Sequence, residues 1–420
     1  MSAQFTNVKS YPVSVAQQDI PSAWLSSSEP RVAGATKKIL SIASQNGSQT
    51  SGGQLSFLLP ASMGSGFLAS GSAYLKLKVA VTQANAYSWA FKQYGSASSI
   101  VNRMTLLASG AIVEQILNYN KLYSSLLLHA SNPSFATCDD SIYQDTLSGL
   151  NTAVDITVCI PILLGAFNSK QHLPLFLLNS CQLNVDLDNV LSAMTSGSAD
   201  AITEFTVSQA TLVCEQITPD AQFEAGIKSM LGQRLYQLPI STFYNVRVAQ
   251  ATSITQNIGL NASSVRSILW NNVSQEGSRG AGHFTSAGQT SARVFLDGQL
   301  VFNGNLDTDV QQFAEMNRAL NTMWDADRVS VGVVADTNGN AVANDFTYAN
   351  LSRAIYSSGA YLGGISTTKS NDGGFSFQGV PVNTAVVEFQ GTGSTGTFYM
   401  YANLQQIITI SQDGSASLIR

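Results

Sequence analysis

Charge is what this sequence has least of. Asp, Glu, Lys and Arg make up 11% of its 420 residues, where soluble domains carry about 25%. Acidic residues number 26 against 21 Lys and Arg, for a net charge of −5. A pI near 5.2 without a basic run excludes direct, tight nucleic-acid packaging, which needs clustered Lys and Arg to neutralise phosphates. Histidine occurs three times and cysteine four times. No CxxC pair exists, and three of Cys138, Cys159, Cys181 and Cys214 lie in apolar runs. They read as buried free thiols, not as zinc ligands or a disulfide framework. The longest apolar stretch, residues 158–167, is broken by Pro161 and falls short of the ~18–20 residues a spanning helix needs. The first residues, Met1 to Lys9, lack the charged-then-apolar secretory pattern, so synthesis inside the cell is expected.

What is present is apolar material: 44% of residues, enough to exclude disorder for most of the chain. The length points to two domains. An apolar, weakly charged chain suits a subunit that covers much of its surface with neighbours. Residues 1–50, rich in Ser, Gln, Ala and Pro, read as an arm that is extended or ordered by a neighbour.

Beyond Gly52 the texture is short strands punctuated by Gly, Ser and Asn. Ala73-Tyr-Leu-Lys-Leu-Lys-Val-Ala-Val81 places Leu75, Leu77, Val79 and Val81 on one face; Cys181-Gln-Leu-Asn-Val-Asp-Leu-Asp188 does the same with Cys181, Leu183, Val185 and Leu187. Period-two alternation predicts antiparallel sheets covered on one side. Further strands are expected at 56–59, 105–107, 153–160, 205–213, 244–248, 266–270, 293–296, 385–389, 398–401 and 406–410. Helical spacing predicts helices at 115–128, with Ile116, Tyr119, Leu122, Tyr123 and Leu126 inward, and at 308–324, with Val310, Phe313, Met316, Leu320, Met323 and Trp324 inward. Thr308 and Gln311 form a capping box. Each helix follows a strand–Gly–strand unit, around Gly110 and Gly298, so the chain reads as two copies of one strand-rich domain. A helix-like stretch at 223–235 lies between them.

Chemistry-bearing motifs are thin. His129, His172 and His283 read as structural or solvated residues, and no Gly-x-Ser-x-Gly elbow exists. The glycine-rich stretches Gly64-Ser-Gly66, 277–282 and 391–396 lack Gly-Lys-Ser/Thr and read as turns. Asp336-Thr-Asn338-Gly-Asn340 opens like a calcium loop, but Ala341 and Thr347 stand where Gly and Glu are required. Asp186 and Asp188 read as solvent-facing strand neighbours, and Trp270 and Trp324 as core residues. No catalytic, cofactor or metal residue is therefore assigned.

Three stretches carry a resemblance. They are Ile160-Pro-Ile-Leu-Leu-Gly-Ala-Phe with Leu173-Pro-Leu-Phe-Leu-Leu-Asn-Ser-Cys-Gln-Leu-Asn-Val-Asp-Leu; residues 225–239 running into Phe243-Tyr-Asn-Val-Arg-Val and Ala262-Ser-Ser-Val-Arg-Ser-Ile-Leu-Trp270; and Leu404-Gln-Gln-Ile-Ile-Thr-Ile-Ser-Gln-Asp-Gly414. Over about residues 50–415 the chain resembles the double jelly-roll major capsid proteins of adenoviruses, tailless membrane phages and virophages. The resemblance implies an all-β fold of two tandem eight-stranded jelly rolls, a short helix inserted in each. The expected division is an arm at 1–50, the first roll at 51–218, a linker at 219–240 and the second roll at 241–420. It further implies a non-enzymatic shell subunit located in the virion. Its partners would be itself, as a homotrimer with a pseudo-sixfold outline, neighbouring capsomers, and minor capsid or penton proteins. The alternatives from other classes are a carbohydrate-binding β-sandwich adhesin and a hydrolase using one of the three His.

Overall fold

A computed structural model of the chain describes residues 35–83, 89–92, 97–130, 155–196, 202–232, 234–274, 284–301, 304–320, 331–334, 347–350, 353–368, 379–393 and 396–419. The first half contributes β1 (Thr36–Ala43), β2 (Gln54–Leu59), β3 (Tyr74–Gln83), β4 (Val101–Ala108), β5 (Ala111–Ile116), β6 (Asp155–Pro161), β7 (Cys181–Leu187) and β8 (Ile202–Thr218). One sheet runs β1-β8-β3-β6 through its long strands and the other runs β2-β7-β4-β5, with every pairing antiparallel. Leu75, Leu77 and Val79 of β3 are buried, as are Cys181, Leu183 and Val185 of β7. The alternation thus reports the core face of each sheet. Each fully buried aliphatic side chain contributes about 1.5–3 kcal/mol, so these two strands anchor the sandwich. Cys181 and Cys214 are free thiols, and burial pushes their pKa up to about 12.

The second half contributes β9 (Tyr236–Ala249), β10 (Ser253–Val273), β11 (Ser291–Leu296), β12 (Val380–Gln390), β13 (Thr397–Ile410) and β14 (Ala416–Ile419). Its strands are longer than the sequence pattern suggests. The separate strands expected at 398–401 and 406–410 are one strand, paired along its whole length with β9. β10 pairs with β12 up to Val265 and with β13 from Val265 onward, with register shifts between Gly259 and Val265. Such bulges let one strand turn a corner from one layer to the other. From Ser267 to Val273 β10 is buried on both faces, as is the start of β13, and a strand covered on both sides loses its alternation.

The longest helices among the described residues are α1 (Tyr119–Ala130), α2 (Ala221–Leu231) and α3 (Asp309–Leu320). Gln115 and Ile116, expected in the first helix, end β5 instead. In α3, Met316 is buried and Phe313 and Leu320 pack on the core. Val310 is 66% exposed, against expectation. Gln312 takes the inward place, its amide donating to Leu306 O at 3.1 Å and its carbonyl accepting from Tyr361 Oη at 2.9 Å. Thr308 Oγ1 accepts from Gln311 N at 3.3 Å, which is half of the expected capping box. The second-half core centres on Trp270, whose Nε1 donates to Tyr361 Oη at 3.0 Å.

The segment expected as an arm to residue 50 differs from that expectation. β1 pairs with β8 from Thr36↔Thr218 to Ala43↔Thr211, because Leu40 and Ile42 pack on the core while Ile39 stays exposed. β9 begins at Tyr236, inside the 219–240 stretch expected as a linker. Among the described residues no helix is long and apolar enough to cross a membrane.

The two-fold pattern in the sequence has a geometric counterpart. Ala108↔Ala111 and Leu296↔Gln299 close two-residue hairpins. Ser109-Gly110 turns at φ 51° and 81°, Asp297-Gly298 at 49° and 78°, the positive pair a type I′ turn requires. Each hairpin precedes a helix of 12 residues. A Cβ at Gly110 or Gly298 meets nothing within 4 Å. Gly110→Ala and Gly298→Ala should therefore each destabilise by about 1–2 kcal/mol, from left-handed backbone strain alone. Urea denaturation of the two variants checks this, and markedly unequal losses would contradict the equivalence of the turns.

Candidate functional site

Among the described residues, the candidate chemical residues make separate structural contacts. His129 is buried, its Nε2 bonded to Ala360 O at 2.6 Å, and burial pushes its pKa down to about 4. His172 Nδ1 accepts from Ser70 N at 2.9 Å, and burial lowers its pKa also. Both thus bond to backbone. Asp188 is buried beyond the end of β7, not solvent-facing: its carboxylate accepts from Asn120 Nδ2 at 2.7 Å and Asn189 N at 2.8 Å. Asp186 accepts from Gln54 Nε2 at 2.6 Å and forms an ion pair with Arg103. The amides of the Gly64-Ser-Gly66 stretch do hold an anion, but it is the buried Glu224 carboxylate of α2, at 2.5 Å from Gly64 N and 2.9 Å from Gly66 N. The loop thereby fixes the connecting helix. Trp270 is a core residue as expected. Cys138, His283, Trp324 and the 336–340 stretch lie outside the described residues, among which no cluster of three His, Cys, Asp or Glu could hold a metal.

What the structure does assemble is a seam between the two halves. At its middle, β5 carries Glu114 inward against the turn Gly165–Asn168 that follows β6. Gly165 N donates to Glu114 Oε1 at 2.7 Å and Ala166 N to Oε2 at 2.9 Å. The second half closes over this pair: the Thr242 hydroxyl of β9 faces the carboxylate, and Ser169 Oγ donates to Pro239 O at 2.8 Å. The approach at Gly165 leaves no room for a side chain, since a Cβ there would stand 2.2 Å from Ser241 O. Burial pushes the Glu114 carboxyl up to about 7, against the opposing pull of the Ala166, Thr242 and Gly165 hydrogen bonds.

On one side of Glu114, α1 lies between the halves. Asn118 Nδ2 donates to Asn245 Oδ1 at 3.2 Å, and Asn245 Nδ2 donates back to Leu117 O. Asn271 Nδ2 of β10 donates to Ser125 Oγ at 2.6 Å, and His129 completes the row at Ala360. Tyr119, Leu122 and Tyr123 face the first core, while Asn120, Lys121, Ser124 and Ser125 are buried as well. The helix is thus covered on both faces, its polar residues included. On the other side, the β4–β5 turn meets the turn before β14: Ser109 Oγ donates to Gly414 O, and Asn179 Nδ2 to Asp413 O at 2.9 Å. Sequence spacing missed this seam because its members lie far apart along the chain. The signals were buried polar residues inside apolar runs, such as Glu114 and Asn271.

Two seam groups titrate in opposite senses. Glu114 has a folded-state pKa above its ordinary 4.5, so its contribution is full below pH 4.5 and is lost as pH rises through about 7. His129 has a folded-state pKa below its ordinary 6.5, so its contribution is full above pH 6.5 and is lost as pH falls through about 4. Between pH 4.5 and 6.5 the two changes offset each other. Glu114→Gln, which imitates the protonated acid, should gain on the wild type by on the order of 3 kcal/mol between pH 4.5 and 8 in denaturant titrations. A constant difference across that range would refute a neutral Glu114. Gly165→Ala should separate the thermal unfolding of the two halves, or lower a common midpoint, because the Ser241 carbonyl must move. Scanning calorimetry of this variant reads the outcome.

Comparisons with known proteins bear on the arrangement as a whole. No family model matches the chain, and no curated protein matches it in sequence. Solved structures do. The PBCV-1 virus capsid, as a quasi-atomic model, matches at 13% identity over 94% of this chain and 98% of that one, with a TM-score of 0.63. The Sputnik virophage, determined by cryo-EM, matches at 12% identity over 100% and 92%, TM-score 0.59. The Faustovirus major capsid protein matches at 7% identity over 92% of each chain, TM-score 0.57. The all-β fold expected from the sequence, the double jelly roll, is the fold this chain has.

Proposed function

We propose that this chain is a viral major capsid protein, a structural and non-catalytic subunit of an icosahedral shell. The observation that carries the reading is the pairing of two sandwiches through a buried polar seam, over a fold shared with capsid structures along nearly the whole chain. In this reading the repeating units are 36–218 and 236–419, joined by α2. Two like sandwiches side by side in each subunit give three subunits a pseudo-sixfold outline, so trimers can tile facets as hexagons. Neighbouring trimers, with minor capsid or penton proteins, are then the partners, and the virion is the location.

The physical task of such a subunit is to present rims that are complementary yet individually weak. A charged fraction of 11% leaves few ions to desolvate at each contact. Polar Ser, Thr, Asn and Gln pair across rims directly or through trapped water at modest entropic cost. The large aromatic residues Trp270, Tyr399 and Tyr401 are buried, so they offer no exposed sugar platform, and the adhesin reading gains nothing from them.

Sedimentation velocity of the purified chain should show a species of roughly three times 44.6 kDa, and negative-stain micrographs should show hexagonal outlines or shells. A monomer that persists at tens of micromolar would overturn the proposal.

A further inference from the structure

The seam is not filled. A cavity of about 270 Å³ opens between the halves, lined by β5 on one side and by β9, β10, β13 and β14 on the other. Its walls are largely apolar, from Ile112, Phe243, Leu260, Leu404 and Leu418. Glu114 and Thr242 also line it, and both are more than nine-tenths buried. No Lys, Arg or His is among its lining residues, and Tyr244 is the one other titratable group there. The size is below the ~300–1,000 Å³ of sites for drug-sized ligands, so a fragment fits.

We infer that this cavity is a binding site for a small alkylammonium ion, its aliphatic tail against the apolar walls and its ammonium group at the Glu114 carboxylate. The argument is one of complementarity. Glu114 is a buried acid whose hydrogen bonds come from two backbone amides, both neutral. A buried carboxylate held by neutral donors alone is ionised at a penalty. An ammonium group removes that penalty, and a carboxylate has lone pairs to spare for it. Alkyl chains of the same length with neutral or negative heads lack this gain. Since the walls belong to both halves, such a ligand joins them and stabilises the folded subunit in proportion to its occupancy. The site does not depend on the capsid reading, because it uses one chain alone.

The test is isothermal titration calorimetry with thermal-shift measurement at pH 8 on the full chain. The probes are hexylammonium chloride, 1-hexanol and sodium hexanoate. Hexylammonium should bind saturably and raise the melting temperature, with affinity about tenfold or more above that of hexanol, and hexanoate should not bind. Glu114→Gln should bring hexylammonium and hexanol to equal affinity. Leu418→Trp, which keeps the carboxylate and blocks the cavity, should abolish binding of both and remains informative if the Gln variant folds poorly. Equal affinity for the three probes on the wild type would overturn the inference, as would hexylammonium binding that survives Leu418→Trp.

Discussion

Two sandwiches stay in a fixed relation only if the contacts between them depend on direction. Apolar packing is indifferent to small rotations, whereas hydrogen bonds weaken steeply away from their geometry. The seam carries contacts of both kinds, and the directional ones are Glu114 with two amides, Asn245 with Leu117 and Asn118, Asn271 with Ser125, and Asn179 with Asp413. Buried bonds of this kind are expensive to shift by even one register, because each misplacement leaves another polar atom without a partner. The polar contacts therefore orient the halves, while a hydrophobic core that runs through both supplies the stability.

The same distinction separates what the sequence disclosed from what it concealed. Strands covered on one side write their burial into every second residue, so β3 and β7 were legible down to single side chains. The turn at Gly110 and that at Gly298 were legible because positive φ narrows the choice of residue. β10 and β13 were read as fragments, since strands buried on both faces and bent by bulges carry no simple period. Val310 faces solvent in α3, against its helical spacing, because an amide, Gln312, competes for the inward position through its bonds to Leu306 and Tyr361. The burial of Asp188 is invisible to strand alternation because its partner, Asn120, comes from a helix far away in sequence.

The seam lay beyond local pattern altogether. Glu114 sits in a run of Ile and Val, where a carboxyl group looks like an interruption of a strand's apolar face. Its meaning depends on Gly165, whose missing side chain admits the Ser241 carbonyl, and on Thr242 from the other half. None of these pairings has a fixed spacing. The double jelly-roll likeness could be suspected from strand order and length, but the residues that lock one roll to the other could be named only once both were placed in space.

The outer edge of β1 pairs with nothing among the described residues, and Ile39 points from it into solvent. A strand with an open ladder of amides and carbonyls is a template for whichever chain arrives first. Copies of the chain at high concentration then face a competition between any ordered pairing and haphazard clumping at this edge. How fast copies are made, relative to how fast they are used, would decide which one wins.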